Sequence, residues 1–352
     1  MKKSLIALAA LAAVSAASAQ SNVTISGSMV LAVGTTELGT ATSDLQIARQ
    51  TGNLQFAGTE DLGGGLKAGF QLQSTIGEVA ATNLTTTGIT TQRLNQLGSR
   101  AANLTLTGGF GGALVGRANT SVRNQMGIAD VTGLPIVSGL SDADSSESAS
   151  STGKVAIAAG DTNARIIYGD TFANQIAYVS PSISGFTLSV GVVPVQTVST
   201  GVGDDATTKD TISYTVNYSN GPLNASVNLT DAQGGSAPYQ MTTLVANYDL
   251  GVAKIGVAQQ SIRLDTGTNP GNATMITANI PMGSGAFGLG YGRRVASAST
   301  NTSFGDDVKQ TVFGYKYNLS KRTAISAVYN QIDRTGTATD LKETHIFVGH
   351  SF

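Results

Sequence analysis

His345 and His350 are the only imidazoles in the 352 residues, and the chain has no cysteine. That composition leaves no thiolate nucleophile, no disulfide and no His-rich metal centre. No Gly-x-Ser-x-Gly elbow, His-Glu-x-x-His pair or phosphate-binding Gly-x4-Gly-Lys-Ser/Thr loop occurs. His345 and His350 have no evident Ser and acid companions, so a barrel enzyme is disfavoured and a non-enzymatic role is expected. Asp142, Asp144 and Glu147 space oxygen ligands as a calcium loop does, but without the glycine and full ligand set of an EF-hand. No metal and no cofactor is assigned. The charged side chains that remain are suited to a physical task, the steering of ions.

The elements that would position them follow from a period of two. Ile212, Tyr214, Val216 and Tyr218 alternate with Ser213, Thr215 and Asn217, and Leu223, Ala225, Val227 and Leu229 alternate with Asn224, Ser226 and Asn228. Similar runs occur around Val23–Val33, Leu66–Leu72, Phe186–Val192 and Phe313–Tyr317. Such alternation makes strands with one apolar and one polar face. Tight turns rich in Gly and Asn, such as Gly63-Gly64-Gly65 and Asn220-Gly221-Pro222, join them in pairs. Longer Ser/Thr/Gly/Asp stretches separate the pairs. The count is one opening strand, seven hairpins and a closing strand at residues 341–352, sixteen in all.

Charged residues are only 12% of the chain, and the polar faces carry mainly Ser, Thr, Asn, Gln and Gly. A water-soluble sandwich would bury the apolar faces and show more charge outside. The pattern instead fits a transmembrane antiparallel β-barrel with lipid outside and water inside, where every backbone group pairs between strands. Sixteen strands enclose a lumen too wide for side chains to fill. The alternative, a secreted adhesin or β-solenoid, requires a constant repeat period that the chain lacks. Lys2, Lys3, the apolar run of ten from Leu5 to Val14 and Ala17-Ser18-Ala19 form a secretory signal, so residues 1–19 are expected to be removed and 20–352 to form the barrel. The mature part then holds 19 basic and 22 acidic residues, a net charge of −3, with no basic excess for nucleic acid.

The final strand places Ile346, Val348, His350 and Phe352 in one phase and ends on Phe. Together with Phe56-Ala-Gly-Thr-Glu-Asp-Leu-Gly-Gly-Gly-Leu-Lys67, Arg100-Ala-Ala-Asn-Leu-Thr-Leu106, Phe110-Gly-Gly-Ala-Leu-Val-Gly-Arg117 and Tyr178-Val-Ser-Pro181, this resembles a Gram-negative general porin of the β-proteobacterial type. The resemblance implies a homotrimer in the outer membrane, with short periplasmic turns and long extracellular loops in contact with lipid and lipopolysaccharide. It implies that Val348, His350 and Phe352 belong to the signal read by the insertion machinery. It also implies that the third long loop, residues 119–164, folds into the lumen and narrows a passage for ions and small hydrophilic solutes.

In porins of this type basic wall residues oppose acids on that loop. Arg100 matches a wall arginine, whereas Asn53 and Thr171 stand where the family carries two others. Read from parity alone, Arg49 and Lys316 fall on polar faces, and Arg117 ends a strand. These six are the candidate wall residues, and Asp130, Asp142, Asp144 and Glu147 are the candidate loop acids. With two of three arginines absent, a weak ion preference is expected.

Overall fold

In this computed structural model the described residues are 22–39, 41–42, 45–76, 97–135, 166–167, 172–194, 210–233, 238–264, 271–295, 307–335 and 340–352. The leader at 1–19, Thr171 and the acids Asp142, Asp144 and Glu147 lie outside them, as does the side chain of Arg49.

The described residues form seventeen strands and one short helix. The strands are β1 (Asn22–Leu38), β2 (Ala41–Thr42), β3 (Gln46–Gly63), β4 (Leu66–Thr75), β5 (Ala101–Gly108), β6 (Gly111–Asn119), β7 (Phe172–Val179), β8 (Phe186–Val193) and β9 (Thr211–Asn220). They continue as β10 (Leu223–Ala232), β11 (Tyr239–Asp249), β12 (Lys254–Leu264), β13 (Gly271–Met282), β14 (Gly285–Val295), β15 (Val308–Asn318), β16 (Thr323–Arg334) and β17 (Leu341–Ser351). Helix α1 spans Ser121–Ala129. β2 is a two-residue strand folded against the end of β1. The other sixteen form one antiparallel sheet that closes when β17 pairs with β1, from Ser28↔Ser351 to Leu38↔Leu341. The ring excludes a solenoid and matches the strand count read from the alternation.

The burial pattern is inverted relative to a soluble protein. Ile25, Leu104, Val115, Leu188 and Ile346 are each more than half exposed, while Asn228, Thr243, Gln260 and Gln310 are fully buried. The apolar phase therefore points out of the cylinder and the amide phase points in. Amides at the inner surface satisfy one another across strands: Gln260 donates to Thr243 Oγ1 at 3.0 Å, and Gln310 to Asn330 Oδ1 at 2.8 Å. At one end the connections are tight. Gly63, Gly64 and Gly65 all adopt positive φ (84°, 62° and 82°) in the β3–β4 turn, a backbone path that side chains with a Cβ resist.

Candidate functional site: a loop seated across the lumen

β5 and β6 are short, so the chain leaves the wall early at Asn119 and turns inward. Thr120 caps α1, its hydroxyl accepting from the Arg123 N–H at 3.4 Å. A nine-residue helix is too short to persist in water by itself. It persists here because Val122, Met126 and Ala129 pack on the inner wall, where α1 touches β10, β11, β12 and β13. Leu134 joins the same cluster with Met241, Val245, Ala258, Met275, Val312, Val328 and Phe347, inward residues of β11–β17. Burial of each large side chain there contributes about 1.5–3 kcal/mol.

Four wall side chains fix the polar edge of this segment. Gln125 Nε2 donates to Ser226 Oγ at 2.8 Å, and Asn247 Nδ2 donates to the Ile128 carbonyl at 2.8 Å. Thr277 Oγ1 donates to the Ala129 carbonyl at 2.5 Å, and Asn279 Nδ2 donates to the Thr132 carbonyl at 3.0 Å. The close approach requires missing side chains. A Cβ on Gly256 would run into the Ala129 carbonyl, and one on Gly288 would lie 2.6 Å from Leu134 Cγ. One on Gly314 would lie 3.1 Å from Leu134 Cδ1. The wall is thus indented with glycine where the loop lies against it.

The described part of the loop, residues 119–135, fills one side of the lumen. A cavity of about 670 Å³ runs along the β4–β8 wall, past Gln71, Gln73, Thr105, Gln175 and Ser189 and past Asn119 and Asn124 of the loop. None of its described lining residues is ionisable. A smaller cavity of about 380 Å³ lies at the tight-turn end, roofed by Gly133, Leu134 and Pro135 and bordered by Lys316, Lys321 and Arg322.

The expected wall residues separate in this geometry. Asn53 is on the inner phase opposite Ser28, to which its Nδ2 donates at 2.9 Å. Lys316 shares the inner phase of Gly314 and borders the smaller cavity. The β1–β3 register slips between Val30 and Leu31, so Thr51 pairs with Val30 while Arg49 pairs with Leu31, and the side chain of Arg49 is outside the described residues. Arg117 departs from expectation. It shares the phase of the exposed Val115 and pairs with Ala102 and Asn174 on the outer phase. Its Nε donates to the Ser99 carbonyl at 2.8 Å, tying β6 to the bend ahead of β5.

Arg100 lies in that bend, before β5 begins, so strand alternation does not govern it. It is 6% exposed, far from the condition of Leu104 on the outer surface. Its guanidinium carbon lies 5.1 Å from the Phe172 ring centroid, and that of Arg123 from α1 lies 4.1 Å from the same ring. Phe172 lines the larger cavity, so it links a wall arginine to a loop arginine at the passage edge. Asp130 ends α1, its N–H donating to the Met126 carbonyl at 2.8 Å. Its Oδ1 accepts from the Thr132 N–H at 3.0 Å and hydroxyl at 2.7 Å.

Two buried charges were not singled out from the sequence. Arg294 on β14 is 2% exposed on the inner phase, and Glu343 on β17 is 1% exposed and accepts from Asn330 Nδ2 at 2.8 Å. Their parity with Gly292 and with Leu341 and His345 was the available signal.

A family model described as Gram-negative porin matches residues 7–337. Outer membrane porin protein 32 of Delftia acidovorans is 33% identical over 343 residues, an alignment covering 92% of this chain and 88% of the relative. Major outer membrane protein P.IB of Neisseria meningitidis is 29% identical over 349 residues, covering 92% of this chain and 91% of the relative. Among solved structures, the anion-selective porin from Comamonas acidovorans superposes with a TM-score of 0.67 at 23% identity, covering 95% of this chain and all of that one. A Salmonella typhi OmpF complex with daunomycin gives 0.63 at 12% identity, covering 94% and 97%. At these identities the two structures speak for the fold.

Proposed function

Because the chain belongs to the Gram-negative porin family, we propose that its outer-membrane channel for passive diffusion sieves solutes between the seated loop and the β4–β8 wall. The observation that carries this reading is the filling of one side of the lumen by the described part of the loop, with an apolar seat on β11–β17 and a polar cavity along β4–β8. Size is limited by how far the loop stands from the wall, and charge acts weakly at the narrowest point. Purified protein in a planar bilayer is expected to give stepwise, ohmic currents, and a silent membrane would count against the reading. The leader at residues 1–19 and the barrel from 20 onward are part of the same proposal.

The charge balance supports weak ion selection. Asn53 is uncharged, Thr171 carries no charge, Arg117 is on the outer phase, and the described cavity lining is neutral. The Comamonas acidovorans relative is described as anion-selective; for this chain a zero-current potential near zero is expected in a potassium chloride gradient. Arg100→Ala is expected to move that potential slightly toward cation preference. A strong anion preference in the wild type would show that arginines outside the described residues line the passage. No movement in the variant would place the Arg100 guanidinium beyond the field of the passing ion.

Assembly as a homotrimer is supported by an asymmetry of the outer surface. Tyrosines ring the tight-turn end on β7–β15, among them Tyr178, Tyr218, Tyr248 and Tyr317, whereas phenylalanine occurs in both sectors, as Phe56, Phe70 and Phe110 within β3–β6 and as Phe186 and Phe287 beyond them. No described tyrosine lies on β1 or β3–β6. Tyrosine belts mark the lipid–water boundary, so the sector without them suits contact with neighbouring protomers. Currents arriving in threes and a three-protomer mass on a native gel test this. Loop contacts with lipopolysaccharide and reading of Phe352 by the insertion machinery complete the proposal.

A further inference from the structure

The larger cavity has a chemistry of its own, and it is that of carboxamides. Gln71 Nε2 donates to Gln55 Oε1 at 2.9 Å, and Gln71 Oε1 accepts from Asn103 Nδ2 at 3.3 Å. Gln175 Nε2 donates to the Asn119 carbonyl at 2.7 Å, and Asn119 Nδ2 donates to Asn124 Oδ1 at 3.0 Å. A carboxamide carries two N–H donors and an oxygen with two lone pairs. Each bond in this ladder uses one of them and fixes the plane of the group, leaving further donors and acceptors for the lumen. The Gln73 carboxamide, on the inner phase opposite Gln55 and Ala101, has no hydrogen-bond partner among the described residues. Thr105, Thr107 and Ser189 add hydroxyls, and no described lining group is ionisable.

We propose that this passage selects uncharged polyhydroxylated solutes, the class of sugars and polyols, over ions of the same size. The proposal rests on the channel reading above and extends it to a substrate class. A sugar hydroxyl that leaves water for the ladder exchanges one donor–acceptor pair for another, at little net cost. An ion entering the same space sheds part of its hydration beside described walls that offer dipoles but no countercharge. That cost falls on cations and anions alike, so the discrimination is between charged and uncharged solutes rather than between signs. Arg100 and Arg123 are not among the described lining residues; their guanidinium groups lie against the Phe172 ring at the cavity edge.

The test is swelling of liposomes containing the purified full-length mature protein, with glucose, glucosamine hydrochloride and sodium gluconate as probes of similar size and different charge. Glucose is expected to enter several-fold faster than either charged solute. Gln73→Leu is expected to slow glucose several-fold while potassium chloride conductance stays near the wild-type value. Gln73→Glu is expected to raise glucosamine entry several-fold relative to gluconate. Entry of either charged solute as fast as glucose overturns the proposal, as does a Gln73→Leu variant with unchanged glucose entry. In both cases the channel itself stands, because glucose still enters. No swelling and no current would instead remove the channel reading and the proposal with it.

Discussion

Gly256→Val is expected to lower the single-channel conductance by about half or more, since current through a water-filled pore follows its open cross-section. A side chain at this position has nowhere to go. Its Cβ alone would collide with the Ala129 carbonyl and lie 2.6 Å from Thr277 Oγ1. Either the wall or the loop must yield. β12 is held in register by β11 on one side and β13 on the other, within a closed ring. The loop is held by five hydrogen bonds to wall side chains, each contributing about 0.5–1.5 kcal/mol, and by its apolar contacts. Overpacking of about 1–3 kcal/mol is enough to break the Thr277–Ala129 bond and lift the end of α1. Among the described residues the space next to the helix is the cavity along β4–β8. Gly127→Ala is the control. That glycine is exposed on α1 with nothing within 4 Å of its added methyl, and alanine favours a helix by about 0.5–1 kcal/mol. Its conductance should stay near wild type. A Gly256→Val channel of normal conductance and noise would mean that the loop is not seated on β12.

The sequence made the wall legible and left the plug obscure, for a physical reason. Alternation such as Ile212–Tyr218 on β9 states which residues share a face, and the wet face follows from a polar phase that is amide-rich and charge-poor. Ring closure and the number of long strands follow from that pattern. Parity fails wherever the backbone loses its period. The slip between Val30 and Leu31 shifts the register before Arg49 is reached, and the bend at residues 97–100 frees Arg100 from the phase of Leu104. Parity also says nothing about what covers a face. Val312 and Phe313 are adjacent and both apolar, yet one is 1% exposed under the loop and the other half exposed on the outer surface. Inward Met241, Val245 and Met275 look like faults in the polar phase until α1 and Leu134 are found lying on them. The indenting glycines are equally silent in sequence, because Gly256, Gly288 and Gly314 resemble any other small residue of a polar face. Loop placement depends on contacts among distant strands, and such contacts leave no periodic signature.

The last residue makes the second large prediction. Phe352 ends the closing seam: its N–H donates to the Gly27 carbonyl at 3.0 Å, and its carbonyl accepts from the Gly27 N–H at 3.0 Å. The ring lies over Gly27, where an added Cβ would sit 2.5 Å from the ring. Gly27 and Phe352 are therefore a fitted pair across the β1–β17 junction. A seam residue and an assembly signal make different demands on the same ring, and three variants separate them. Phe352→Ala keeps the backbone pair and loses the ring, so the refolded barrel should unfold at a lower temperature on heated gels. Deletion of Phe352 also removes both backbone bonds and should lower it further. Gly27→Val leaves Phe352 in the sequence but displaces the ring and also crowds the Asn53 carbonyl of β3, 2.5 Å from the added Cβ, so in refolded protein it should be destabilised at least as much as Phe352→Ala. In cells the two substitutions should part. If the insertion machinery reads the aromatic end, Phe352→Ala is expected to reduce the outer-membrane level by about tenfold, the population change that roughly 1.4 kcal/mol of lost recognition produces. Gly27→Val retains the signal and should fall only as far as its lowered stability dictates. Equal losses in cells for both substitutions would mean that the ring acts through the seam alone and that the terminal phenylalanine is a closing contact rather than an address.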